Sequence, residues 1–135
     1  MTDTSSCSPN RPKVMSKFTI QGRLSGLNEI INASRGNRYA GANQKKKETA
    51  RCQWAVIANA VPTFVAPVRI NFRWFEKDLR RDPDNICAGA KFVLDALVEL
   101  NRIPNDSRKW IKGITHDFPD PNKNDPRVEV QIEEA

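Results

Sequence analysis

The chain has 135 residues, with 22 Lys and Arg against 16 Asp and Glu and a net charge of +6. That length carries one domain with one modest core. No run reaches the ~20 apolar residues of a membrane span, and no charged-then-apolar leader opens the chain.

Cys7, Cys52 and Cys87 form no CxxC pair, and their odd number argues against a disulfide framework, so a reducing cytoplasm is expected. Residues 1–16 are rich in Ser, Pro and Thr and read as a loose tail, leaving 17–135 as the domain. Phe18 and Ile20 alternate with Thr19 and Gln21, which predicts a first strand from Lys17 to Arg23. Gly22, Gly26 and Asn28 then mark a loop, from which Leu27, Ile30 and Ile31 are placed to cover the core.

From about Asn43 to Ala60 the pattern turns helical, basic at first and apolar through Trp54, Val56 and Ile57, and Pro62 stops it. Val68, Ile70, Phe72 and Trp74 alternate with Arg69, Asn71 and Arg73, a half-buried strand that opens just after Pro67. Trp54, Phe72 and Trp74 are read as core.

A second helix is expected from Asp82 to about Asn101, with Asp82 as N-cap and Pro83 at the first helical position. Ile86, Ala90, Val93, Leu97 and Leu100 recur at three and four residues and form its packed stripe. After the turn Pro104-Asn105-Asp106, two closing strands are expected at 110–116 and 127–132, around a loop rich in Pro, Asn and Asp. The order is β-α-β-α-β-β. It predicts an α/β (α+β) class domain with a mixed, mostly antiparallel sheet and two main helices.

The positive charge favours a polyanionic partner, and its distribution says more than its total. Arg35, Arg38, Lys45, Lys46, Lys47 and Arg51 stand against Glu48 alone, while Glu129, Glu133 and Glu134 gather at the C-terminus. Such segregation suits one surface that meets phosphates, to which Arg69, Arg73, Arg80 and Arg81 add. A solvated helix face accounts for the same run.

The residues that could do chemistry lie in the second helix. On a wheel at ~100° per residue, Asp84, Lys91 and Asp95 fall within about 20° of one line, opposite the apolar stripe. Asp82 stands at the helix mouth, and Asp106 follows the helix after a short turn. Three ionised carboxylates ~4 Å apart repel by roughly 4 kcal/mol per pair at an effective dielectric near 20, so a converging cluster takes up protons or binds a cation. Oxygen donors with no Cys or His among them fit Mg²⁺ or Mn²⁺, not zinc. Ordinary helix-start and turn chemistry explains the same aspartates without a metal. His116 is read as structural or surface, and Cys87 has no base beside it in the sequence.

Arg-Asp-Pro-Asp-Asn (81–85), Lys-Phe-Val-Leu-Asp-Ala-Leu (91–97) and Ile-Pro-Asn-Asp-Ser (103–107) together resemble the RusA-type Holliday junction resolvases, a family often carried by prophages. Gly22 to Asn28 is similar to that family's first strand and the Pro-Ser-x-Asn-like loop with it. The likeness spans roughly residues 17–133 and is specific from Arg80 to Asp106. It implies that Asp82, Asp84 and Asp106 are metal-binding catalytic carboxylates and that Lys91 is the catalytic lysine. Lys91 departs from the best-known members by three residues, close to one helical turn, which moves it ~4.5 Å along the axis. The activity implied is Mg²⁺-dependent, structure-selective endonucleolytic cleavage of four-way DNA junctions by a homodimer. A two-fold dimer also matches the paired nicks that a two-fold junction needs. Two other readings stay open: a nuclease for other branched DNA such as forks and flaps, and a basic DNA-binding module in which Asp82 and Asp84 only start a helix.

Overall fold

Strand alternation builds the sheet. A computed structural model describes residues 14–36 and 38–135. The residues expected as a tail lie outside this description up to position 13, and the first strand, β1, begins within the expected tail and spans Met15–Gln21. The chain continues through helices α1 (Leu27–Gly36) and α2 (Arg38–Ala58), strand β2 (Val68–Phe75), helices α3 (Pro83–Cys87) and α4 (Ala90–Glu99), and strands β3 (Ile111–Asp117) and β4 (Arg127–Glu134). The α+β class holds and the strand–helix order is roughly as expected, with α1 added ahead of the first expected helix and the second divided into α3 and α4.

The sheet runs β1-β4-β2-β3. β4 is antiparallel to both neighbours, whereas β2 and β3 are parallel. A parallel partner needs a long crossover, and α3 with α4 supplies it. The loop 118–126 then carries the chain from the β3 edge past β2, so that β4 can enter beside β1.

Register sorts the side chains into two faces. Phe18, Val130 and Phe72 lie in one cross-strand row, and Ile20, Val128 and Trp74 in the next. These rows are buried in one core with Val56 of α2, Ile86 of α3, and Phe92, Val93 and Leu97 of α4. The opposite face carries the rows Lys17–Gln131–Asn71–Thr115 and Thr19–Glu129–Arg73–Asp117, and it is polar. Gly22, at φ +81°, turns the chain out of β1, and its N–H bonds the Pro126 carbonyl at 2.8 Å.

Three expectations are corrected. Residues 27–36 form α1 where a loop was expected; of its apolar residues Ile30 packs against the core while Leu27 and Ile31 stay exposed. Trp54 is 72% exposed, because the buried side of α2 is set by Cys52 and Val56 instead. The helix expected from Asp82 to Asn101 breaks at Ala88-Gly89, where Leu24 packs so closely that a Cβ on Gly89 would lie 3.0 Å from its own. The expected apolar stripe survives the break, since Ile86, Ala90, Val93 and Leu97 are all buried.

Candidate functional site

Asp82 has the extended backbone of an N-cap (φ −76°, ψ 156°) and Pro83 follows it, yet its carboxylate makes no capping hydrogen bond. Helix-start chemistry therefore explains the backbone here and not the side chain. Asp82 and Asp84 are both exposed, and neither is ion-paired among the described residues. Among the described residues Asp84 accepts the neighbouring Asn85 N–H, at 3.0 Å.

The helix start is anchored from behind. Arg81 donates from Nε and Nη2 to both oxygens of Glu76, at 2.7 and 2.8 Å, and from Nη1 to the Leu24 carbonyl and to Glu29, each at 3.0 Å. This fork suits a planar guanidinium. Burial opposes the charge, but Glu76 outweighs it and Arg81 titrates above its ordinary range. Gly26 must be glycine: a Cβ there would meet the Arg81 guanidinium at 2.7 Å and the Asn85 carbonyl at 2.9 Å.

Lys91 heads a second cluster. Its ammonium lies 3.1 Å from Asp95 Oδ1 and 3.4 Å from Asp106 Oδ2. The hydrogen bond it donates to Asp95 holds its pKa above the usual lysine value, with Asp106 adding to it against partial burial. Asp95 reaches in the other direction too, its Oδ2 lying 3.7 Å from Lys45 of α2. That oxygen is buried and has no hydrogen bond. Asp95 thus bridges two lysines on neighbouring helices. The sequence wheel paired Asp95 with Lys91, and the structure adds Lys45.

The break between α3 and α4 separates Asp84 from this cluster in the chain. Among the described residues no three or more Asp, Glu, His or Cys side chains are gathered as a metal site. Asp82, Asp84 and Asp106 therefore do not form the converging cluster that was entertained from spacing. Asp106 instead faces Lys91.

The ten cations expected to contact DNA also divide. Arg81 is turned inward, its side chain 9% exposed, and is a structural clamp rather than a surface cation. Arg51 is likewise committed, donating to the carbonyls of Gln21 at 2.6 Å and Arg23 at 3.0 Å and pairing with buried Glu48 at 2.9 Å. Arg69 and Arg73 project from the open sheet face, and Arg73 pairs with Glu129 at 3.5 Å. Arg35, Lys46, Lys47 and Arg80 are exposed, Lys45 is bound to Asp95, and the Arg38 side chain lies outside the described residues. Arg108, Lys109 and Lys112, which follow Asp106, are exposed and were not singled out from the sequence. Their spread over a turn and a strand hid them, where the run at 45–47 was conspicuous.

His116 is structural, as read from the sequence: its Nδ1 accepts the Trp74 indole N–H at 2.9 Å, and its ring stacks on Phe72. Cys52 and Cys87 are free thiols. Burial, with Glu48 beside it, pushes Cys52 up to about 12, and burial with Asp84 raises Cys87, so neither suits a nucleophile. Among the described residues no helix is long and apolar enough to cross a membrane. Compared with known proteins, the chain matches no family model and no curated sequence.

Proposed function

We propose that this protein is a Mg²⁺-dependent endodeoxyribonuclease that resolves four-way DNA junctions, acting as a homodimer in the cytoplasm. One observation carries the reading: at a helix start, Asp82 makes no capping hydrogen bond, and among the described residues neither Asp82 nor the nearby Asp84 is ion-paired. Nearby in the chain stands exposed Arg80, and Lys91 is held against a third carboxylate, Asp106. The resemblance to RusA-type resolvases names the same four residues, Asp82, Asp84, Asp106 and Lys91. The free thiols suit a reducing compartment.

The oxygen-only donors fit Mg²⁺ in its ordinary mode, which takes one or two carboxylates, several waters and a substrate phosphate, without a preformed protein cage. Asp82 and Asp84 would hold the ion, and Asp106 is the third carboxylate of the proposed set. The bound ion would activate water and offset charge on the phosphoryl oxygen. Lys91, kept protonated by Asp95 and Asp106, would donate to a non-bridging phosphate oxygen. Arg80, Lys46 and Lys47 would bind flanking phosphates, which makes affinity fall steeply with salt.

The absence of a gathered three-carboxylate cluster among the described residues favours a second reading, a DNA-binding module without catalysis. Cleavage of a labelled immobile four-way junction, with duplex and fork controls and with or without Mg²⁺, separates the readings. Paired symmetric nicks confined to the junction and lost in Asp84→Asn are expected. Equal cutting of forks would shift the assignment to branched DNA in general. Binding with no metal-dependent cutting on junctions of several sequences would leave the module.

A further inference from the structure

Three exposed cations without an assigned role follow Asp106 in the chain: Arg108, Lys109 and Lys112. Among the described residues none of them is ion-paired. The segment that carries them is well tied. The Asn105 side-chain oxygen accepts the Ser107 N–H at 2.9 Å, and the Ser107 carbonyl accepts the N–H groups of Trp110 at 3.0 Å and Ile111 at 2.9 Å. The Trp110 carbonyl accepts the Val68 N–H at 2.8 Å, which joins the segment to β2. Lys109 lies over the Trp110 ring, its ammonium 5.8 Å from the centroid. Successive Cα atoms are ~3.8 Å apart, so the backbones of Arg108 and Lys109 stand within about 11 Å of Asp106, which itself meets Lys91.

The start of β3 extends the positive charge. Its register on β2 passes from Val68–Ile111 to Arg69–Gly113, which leaves Lys112 as the extra residue of a bulge. A bulge re-aims a side chain, and Lys112 is exposed there. Gly113 has no side chain, and the Arg69 guanidinium takes that space: a Cβ on Gly113 would lie 2.6 Å from its Nη1. A fourth cation thus lies across β3 at the residue next to Lys112. The acids on the adjoining elements do not cancel this charge. Asp106 is held by Lys91 at 3.4 Å, and Asp95 lies between Lys91 and Lys45. Glu134 is buried, and its carboxylate accepts the Val14 N–H at 3.0 Å. Glu133 stands beyond Arg69 in the row that ends at Gly113. With the carboxylate of Ala135, whose N–H bonds the Pro67 carbonyl at 2.8 Å, it faces four cations, so the excess is positive.

We propose that Arg108, Lys109 and Lys112, with Arg69 beside them, hold the backbone phosphates that flank the scissile one on the Asp106 side of the cut. This deepens the nuclease reading and rests on it, because Asp106 and Lys91 are what mark the place of the cut. The conspicuous basic helix is the poorer candidate for this track, since Lys45 is held by Asp95 and Arg51 by Glu48. Cations with no ion pair to break gain the full benefit of counterion release when they meet phosphate. A track of this kind touches no base edges, so it sets affinity and the register of the cleaved strand and adds no sequence preference.

The test measures binding of the full chain to a four-way junction over a salt series, with Ca²⁺ in place of Mg²⁺, while cleavage is mapped in parallel with Mg²⁺. Arg108→Gln combined with Lys109→Gln is expected to lower the salt slope by about 2, and Lys112→Gln by about 1, at unchanged urea midpoints. Lys17→Gln combined with Lys123→Gln removes the same charge from two other exposed positions and should leave the slope as it is. Junctions carrying one neutral methylphosphonate at a time locate the contact. Those next to the cut should weaken binding by the parent and have no further effect on the Arg108/Lys109 variant, because the two changes remove one interaction. A parent that cuts while the variant keeps its slope overturns the track and leaves the nuclease, and so does a methylphosphonate effect confined to phosphates away from the cut. A lowered slope in a protein that does not cut supports the segment as a DNA contact and overturns the nuclease. Equal slopes in every variant with no cutting overturn both.

Discussion

The side-chain oxygen of Asn85 accepts the backbone N–H of Asn28 at 3.1 Å, across 57 residues of sequence. This bond ties the start of α1 to the first turn of α3, the turn that presents Asp82 and Asp84. The Asp-x-Asp-Asn segment therefore divides its labour, with two acids facing water and the amide holding the scaffold.

Replacing Asn85 with Ala should cost about 1 kcal/mol, the usual net worth of one hydrogen bond. Gly26→Ala should cost more, about 2 kcal/mol, because its Cβ would press on the Arg81 guanidinium and the Asn85 backbone. Urea unfolding measures both. A Gly26→Ala protein as stable as the parent would show that the loop is not held as described.

Arg80 and Arg81 are adjacent and should behave as opposites. Arg81→Ala strips the two-bond partner from buried Glu76, leaving it only Arg23 at 3.7 Å, and should destabilise the fold by about 3 kcal/mol. Arg80→Ala should leave the unfolding midpoint unchanged while weakening junction binding and lowering the salt slope by about 1. Salt titrations of binding beside urea curves separate the two roles. Equal loss of stability in both variants would contradict the inward assignment of Arg81.

His116 predicts a pH dependence. Trp74 can only donate, so His116 Nδ1 must accept and cannot carry a proton in that bond. Burial lowers the folded-state pKa of His116 against a smaller opposing effect of Asp117. The unfolded chain thus binds the proton first as pH falls. This contribution is complete above the ordinary histidine pKa of ~6.5, declines as pH drops below it, and levels off below the folded value. Urea midpoints between about pH 5 and 7.5 should show this decline in the parent and lose it in His116→Gln. Parallel pH curves for the two proteins would rule the mechanism out.

Asp95 should matter for rate more than for stability. Asp95→Asn keeps the shape and removes the charge that holds Lys91 and Lys45. Both lysines are largely exposed, so their pairs add little to folding. The buried Oδ2 already lacks a hydrogen bond, so little is lost at that atom. Single-turnover junction cleavage should slow roughly tenfold at saturating DNA, with binding unchanged, because a loosened lysine is a misplaced one. A variant that loses affinity and not rate would place Asp95 in DNA binding instead.

Strand periodicity was fully legible in the chain. The alternation Val68-Ile70-Phe72-Trp74 selects the core face by itself, and the stripe from Ile86 to Leu97 predicted the buried side of the helices, since side-chain direction follows from local geometry. Asp82 as N-cap and Pro83 after it were also local, and held.

What escaped the sequence is non-local. Gly89 is visible in the sequence, but the close approach of Leu24 that it accommodates at the helix break comes from far away in the chain. The 72% exposure of Trp54 depends on which side of α2 its neighbours cover. Charge counting marked Arg51 and Arg81 as surface cations, yet distant groups help turn them inward: the Gln21 and Arg23 carbonyls for Arg51, and the Leu24 carbonyl and Glu29 for Arg81.

The sequence by itself determined the four strands, the core face of the sheet, the net positive charge and the aspartates at a helix start, because each depends on short-range periodicity or composition. Tertiary structure alone decided which arginines are structural, that β3 pairs parallel to β2, and that Lys91 also meets Asp106 and Asp95 also meets Lys45. The physical reason is distance: ion pairs and packing act over a few ångströms in space, and only the fold brings distant residues that close.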